Sequence, residues 1–176
     1  MTITTDPLNE IFPIVDADDN VIGQTTRQNA NSNPSIIHRS INILIYNLRG
    51  ELLIQQRSPT KDTYPNTWAV GVGGHVEFGD DYLSTAIREI SEELGLSVTS
   101  SELRPLGKTL IQMPSENEYS QIYEYHATTE LVINPSPSEI SKTKFVTISE
   151  MKSMLADPSI NWNPFSLAVL KAFPLV

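Results

Sequence analysis

The order of apolar and polar positions divides the chain into short strand-like runs, then a helix-like stripe, then a mixture of both. Ile11–Val15 and Val21-Ile22 are apolar runs on either side of the turn-prone Asp18-Asp19-Asn20, which predicts two short strands. Ile36–Asn47 and Glu51–Arg57 are rich in aliphatic and β-branched residues. Asn47-Leu48-Arg49-Gly50 between them has turn chemistry, so the two runs are expected to pair as a hairpin. Trp68–Val72 predicts another strand, running into a glycine-rich loop, Gly71–Gly79. The period then changes. Leu83, Ala86, Ile87, Ile90 and Leu94 recur every three or four residues and define one apolar stripe on a helix. Asp80 or Asp81 can cap its start and Gly95 its end. Strands are expected at 103–113 and 119–130, with Tyr123 and Tyr125 on opposite faces of the second, and at Lys144–Ile148. Ser149 is expected to cap a helix to about Leu155, and a last helix runs from Pro164 to Ala172. A mixed sheet flanked by helices accommodates this order best.

Neither a repeat nor a linker-like composition interrupts the 176 residues, so residues 1–176 are expected to form one domain. The chain lacks cysteine, which removes a disulfide framework, a zinc–thiolate site and a cysteine nucleophile. The first ten residues have neither a basic region nor an apolar run, and no stretch approaches 18 apolar residues; a secretion signal and a membrane span are therefore not expected, and a cytoplasmic protein is. Twelve Lys and Arg against 21 Asp and Glu give a net charge of −9. A field of that sign repels nucleic acid polymers and anionic lipid, yet admits a phosphorylated small molecule if divalent cations stand between it and the protein. A homodimer is left open.

The chemistry concentrates after the glycine-rich loop. With the apolar stripe on one side of the helix, Glu89, Glu92 and Glu93 share an arc of roughly 100° on the other. Like charges at these spacings cost a few tenths of a kcal/mol per pair. A purely structural helix has no use for that repulsion, whereas one that holds hard divalent cations does, because carboxylate oxygens suit Mg²⁺ or Mn²⁺.

Gly74, Arg88, Glu89, Ile90, Glu92, Glu93, Gly95 and Leu96 stand in the register of G-x5-E-x7-R-E-U-x-E-E-x-G-U, U being a bulky aliphatic residue. The segment 74–96 thus resembles the Nudix box; six single-residue requirements make a chance match roughly one in 10⁵. Asp80 departs from the pattern, standing where the box has glutamate, and either caps the helix or joins the metal site. The resemblance implies a Nudix-type α/β/α sandwich with a mixed sheet, and a metal-dependent hydrolase that cleaves a diphosphate bond with water. Glu89, Glu92 and Glu93 would ligate Mg²⁺ or Mn²⁺ with the Gly74 carbonyl, and Arg88 would orient a box carboxylate. Glu89, Glu92, Glu116 and Glu118 are the candidates for the base. The substrate would be a nucleoside diphosphate linked to another moiety, or a similar organic diphosphate.

Residues 11–172 also resemble the branch of this superfamily that contains isopentenyl-diphosphate isomerase. The shared features are His38-Arg39, Asn47-x-x-Gly50, Gln56-Arg57-Ser58 with Lys61, Pro65-x-x-Trp68, Gly74-His75, Glu116-Asn117-Glu118 and Trp162. On that likeness His38, His75, Glu116 and Glu118 fall on metal-ligand positions, and Arg27, Arg57 and Lys61 on or near positions that grip the diphosphate. The family's catalytic cysteine is Gly73 here, and another histidine ligand falls near Asn31. Isomerisation needs a proton donor and acceptor on opposite faces of a double bond, so hydrolysis is the favoured reading, with an isomerase-like enzyme or a non-catalytic diphosphate-binding module as alternatives. For the hydrolase, Glu118 is assigned to the metal, and Arg57, Lys61, His75, His38 and Glu116 to the substrate.

Overall fold

The computed structural model describes residues 4–175. β1 (Ile11–Val15) and β2 (Val21–Thr26) form the expected antiparallel pair, and the chain then makes a single helical turn, α1 (Arg27–Ala30). That turn has no apolar period to announce it; the Thr26 side chain caps it by accepting from the Asn29 N–H.

β3 (Ile37–Tyr46) is the spine of the sheet. One edge pairs in parallel along its whole length with β8 (Asn117–His126), from Ile37 opposite Asn117 to Tyr46 opposite His126. β7 (Leu103–Gln112) lies antiparallel on the far side of β8. The other edge of β3 receives β6 (Val72–His75), from Ile43 opposite Val72 to Ser40 opposite His75. β4 (Leu52–Arg57) instead takes β5 (Trp68–Val70) on one edge and β9 (Ile140–Val146) on the other.

The expected hairpin between residues 36–47 and 51–57 is therefore corrected. The Asn47–Gly50 turn forms, but β3 and β4 share only the pair Tyr46–Leu52 and part company beyond it. The two-residue periodicity of each run reports that it is a strand, not which strand it meets. Gly71 carries the chain from the β4 side to the β3 side. It has φ +59°, and a Cβ there would lie 1.8 Å from the Ile43 carbonyl oxygen, so only glycine can turn in that space. The expected loop 71–79 thus begins as β6, with its glycines paired against Ile41 and Asn42.

α2 (Tyr82–Leu94) packs Ala86, Ile90 and Leu94 onto one face of the sheet, against Ile41, Ile43, Ile45 and Leu53. Asp81, not Asp80, is its N-cap, accepting from the Ser84 N–H at 2.8 Å. α3 (Ile148–Ala156) and α4 (Pro164–Ala172) cover the opposite face, with Met151, Val169 and Leu170 against Leu44, Ile54 and Ile122. The result is the expected α/β/α sandwich on a mixed sheet. Three further details differ. α3 is capped by Thr147 rather than Ser149: Thr147 accepts from the Glu150 N–H while Glu150 accepts from the Thr147 N–H. β8 ends at His126 rather than 130, and β9 starts at Ile140 rather than 144, its polar residues facing outward. Tyr123 and Tyr125 both face the α2 side, because residues two apart on a strand share a face.

Candidate active site

Where β3 and β4 separate, a cleft of about 480 Å³ opens between the two parts of the sheet. Nine carboxylate side chains line it, against four basic ones, so its ionised lining is strongly negative. One wall is α2 and the glycine pair of β6. Gly74 lies so close under Glu89 that a Cβ would fall 2.2 Å from the carboxylate carbon; the glycine is the space in which that carboxylate sits. Glu89 and Glu93, one turn apart, point inward, Glu93 only 6% exposed. Glu92, its side chain 56% exposed, is at the rim. Arg88 links them: Nη1 lies 3.0 Å from Glu89 Oε1 and 2.9 Å from Glu92 Oε2, and Nη2 donates to the His75 carbonyl at 3.4 Å. Asp80 is exposed and outside the lining; Glu77, three residues earlier, is in it.

On the same side of the cleft, beside β6, the parallel pair β3–β8 adds further side chains. In-register pairing sets His38 beside Glu118, and the β3–β6 ladder sets His75 beside Ser40. His38 Nε2 is 3.6 Å and His75 Nε2 3.9 Å from Glu118 Oε2. Ligand atoms of His38, His75 and Glu116 all lie within 4.8 Å of one another. His38 is completely buried, stacked on Phe12, and neither ring nitrogen has a hydrogen-bond partner among the described residues.

Electrostatics describe a cluster short of positive charge. Burial raises the Glu89 carboxyl from 4.5 to about 7 against the pull of Arg88, with Glu92, Glu139 and Glu10 adding to the rise. Glu93 is pushed well up by burial, then by Glu89 and Glu139. Burial, with Asp62 behind it, takes Glu116 to about 7; burial and Glu116 take Glu118 to about 8. Burial and the Arg27 charge lower His38 to about 4 and His75 well below its ordinary value. Neutral imidazoles and crowded, part-protonated carboxyls are the donor set a divalent cation would complete, since it supplies the missing charge and a partner for the orphaned nitrogens. Two candidate ligand groups therefore border the cleft: Glu89, Glu92 and Glu93 with the Gly74 backbone, and His38, His75, Glu116 and Glu118.

The predicted diphosphate grip is different in detail. Arg57 borders the cleft but donates Nε and Nη2 to the Thr63 carbonyl. Lys61 is fully engaged, paired with Asp6 and with Glu139 at 2.6 Å. Arg27 is held by Asp6, Glu10 and Asp62. Asp6, Glu10 and Glu139 were absent from the sequence reading. Glu139 arrives because the β8–β9 loop supplies N–H donors to the C-terminal carbonyls of α2, Asn134 to Leu94 and Ser136 to Glu93. No local pattern signals that docking. Trp162 lies outside the lining, its Nε1 donating to the Met154 carbonyl of α3, and the Asn31 side chain donates to Asp62.

The pairing of a box-bearing helix with a carboxylate-lined parting in a mixed sheet defines a Nudix-type protein. Residues 36–166 match the NUDIX domain family, and the chain belongs to it. It is 30% identical over 137 residues to a Nudix hydrolase of Pseudomonas aeruginosa, uncharacterized by its name, covering 78% of each chain. It is 29% identical over 162 residues to isopentenyl-diphosphate Delta-isomerase I of Camptotheca acuminata, covering 81% of this chain and 69% of that one. Against other isomerases it spans less, down to 52% of the relative. Among solved structures, DR0079 from Deinococcus radiodurans superposes with a TM-score of 0.75 at 25% identity, covering 93% of this chain and 99% of that one.

Proposed function

We propose that the protein is a metal-dependent pyrophosphohydrolase that cleaves the diphosphate bond of a nucleoside diphosphate linked to another moiety, or of a similar organic diphosphate. The carrying observation is the convergence of buried, charge-starved carboxyls on one cleft. Glu89, Glu93 and Glu92, with the Gly74 carbonyl, would hold Mg²⁺ or Mn²⁺; His38, His75, Glu116 and Glu118 offer a second ligand set beside them. Bound there, such a cation would supply positive charge for the diphosphate and lower the pKa of water, so that hydroxide would be accessible near neutral pH. Arg88 fixes Glu89 and Glu92 relative to each other, and a box carboxylate beside it takes the proton from water. Arg57, which borders the cleft and is steadied by the Thr63 carbonyl, would contact the substrate's phosphates.

The organic part of the substrate is read from the remaining lining. Asn42 Oδ1 and Gln55 Oε1 are buried without a hydrogen-bond partner among the described residues, and both residues border the cleft. A hydrocarbon chain there would leave each unsatisfied, at about 1–3 kcal/mol apiece. A polar group with its own donors suits them better, which favours a nucleoside over a prenyl chain.

The isomerase reading has one observation on its side, the His38–His75–Glu116–Glu118 cluster, and lacks a cysteine where Gly73 stands. A panel of organic diphosphates with Mg²⁺ or Mn²⁺, read as released phosphate with and without a coupled phosphatase, tests the hydrolase. Turnover should fall by orders of magnitude in Glu93→Gln; equal rates in the folded variant would remove the proposal. Conversion of isopentenyl to dimethylallyl diphosphate, followed by NMR, would establish the alternative.

A further inference from the structure

Residues 4–10 cross the edge of the cleft ahead of β1 and contain one buried residue, the acid Asp6. Its side chain is 3% exposed. The apolar residue that would ordinarily tie down such a segment is not used: Leu8 is 39% exposed, and Pro7 and Asn9 also face solvent. Asp6 is held by charge instead. Arg27 Nη2 lies 3.1 Å from Oδ1, Lys61 Nζ pairs with the same oxygen, and the Asp62 N–H donates to Oδ2 at 2.8 Å. Burial alone would raise this carboxyl, but Lys61, the Asp62 N–H and Arg27 outweigh it and hold it well below the usual range. Two cations and an aimed backbone N–H around one oxyanion are also the ingredients of a phosphate site.

We propose that Asp6 is an internal stand-in for a phosphate group, strapping residues 4–10 into the cradle of Arg27, Lys61 and the Asp62 N–H until a diphosphate displaces it. The proposal rests on the diphosphate reading of the cleft. The cradle survives the exchange because its cations have anchors outside the strap: Asp62 at 3.1 Å on Arg27 and Glu139 at 2.6 Å on Lys61. Its remaining ties across the chain are the Thr5 N–H to the Thr60 carbonyl at 3.1 Å, exposed hydroxyl contacts from Thr5, the backbone bond from Gln28 to Leu8 and, at the hinge end, Glu10, which accepts from the Arg27 N–H and pairs with Arg27 Nη1, each at 2.8 Å.

Hydrogen exchange on the full chain with Mg²⁺, with and without inorganic pyrophosphate, tests this without any substitution. Exchange at residues 5–10 should speed up when pyrophosphate binds while α2 slows; bound pyrophosphate with residues 5–10 unchanged or slower overturns the strap alone. Asp6→Asn keeps the shape and removes the charge, and should bind pyrophosphate about tenfold more tightly, the gain expected if the closed strap masks about nine-tenths of the sites. Weaker binding by this variant would mean that Asp6 builds the site rather than blocks it, and would overturn the proposal. If neither protein binds pyrophosphate, the diphosphate reading falls and takes the strap with it.

Discussion

Replacing Glu89 by glutamine should make the metal-free protein more stable while removing its activity. Burial takes this carboxyl from 4.5 to about 7. At about 1.4 kcal/mol for each tenfold change in proton affinity, the ionised side chain costs the fold about 3 kcal/mol. The sign follows from linkage. The folded state binds the Glu89 proton more tightly than the unfolded state, so stability is lost as pH rises from about 4.5 to about 7, and the full penalty is present at pH 8. Glutamine fills the same space beside Gly74 and carries no charge. In EDTA at pH 8, Glu89→Gln should therefore melt about 6–12 °C higher, a chain of this length gaining about 2–4 °C per kcal/mol. At pH 5, where the wild-type carboxyl is protonated in the fold, the two should melt within about 2 °C, the residue of a much smaller ionisation difference. Scanning fluorimetry at both pH values decides it. A variant that melts at or below wild type at pH 8 would refute the claim that the cluster is under charge strain, as would a gain of equal size at pH 5.

Related measurements probe other parts of the site. Mn²⁺ affinity, by calorimetry, should tighten as pH rises from 6 to 8.5, because Glu89, Glu116 and Glu118 must release protons held up to about 7, 7 and 8. Affinity that is flat across this range would show that these groups are not ligands. Gly74→Ala should cut kcat at least tenfold by driving the Glu89 carboxylate from its place, equivalent to about 1.4 kcal/mol or more in transition-state stabilisation; unchanged kinetics would free Glu89 of a role. Gly71→Ala should cost at least about 2 kcal/mol in urea unfolding, since its methyl would meet the Ile43 carbonyl in a left-handed conformation; a wild-type midpoint would contradict the turn. His38→Gln should weaken metal binding while Glu92→Gln, at the rim, should affect turnover more than melting temperature.

The elements governed by local chemistry were legible in the chain itself. The apolar stripe of α2 and the arc of Glu89, Glu92 and Glu93 follow from a period of 3.6 residues, and both survive folding. Pairing is another matter. Nothing in Ile36–Asn47 tells that its partners lie at 72–75 and 117–126 rather than across the adjacent turn, because alternation is blind to the neighbour. The site divides in the same way. Glu139 and Asp6 reach the cleft through docked loops and ion pairs 78 and 55 residues distant from Lys61 in sequence, without a periodic signature. Lys61 and Arg27 were readable as cations near the cleft, but not as cations already committed to acids of the same chain.

The separation of β3 from β4 after a single shared pair has a consequence for how the walls respond to each other. The box helix rides with β6 on one flank, and Gln55 and Arg57 ride on the other; the flanks are joined by the Tyr46–Leu52 pair, the backbone crossing at Gly71, the Asn42 side chain donating to the Val70 carbonyl, and the loop before β9 docked on the end of α2. A change of a few degrees about these joints alters the gap across the whole slot while leaving both hydrogen-bonded ladders whole.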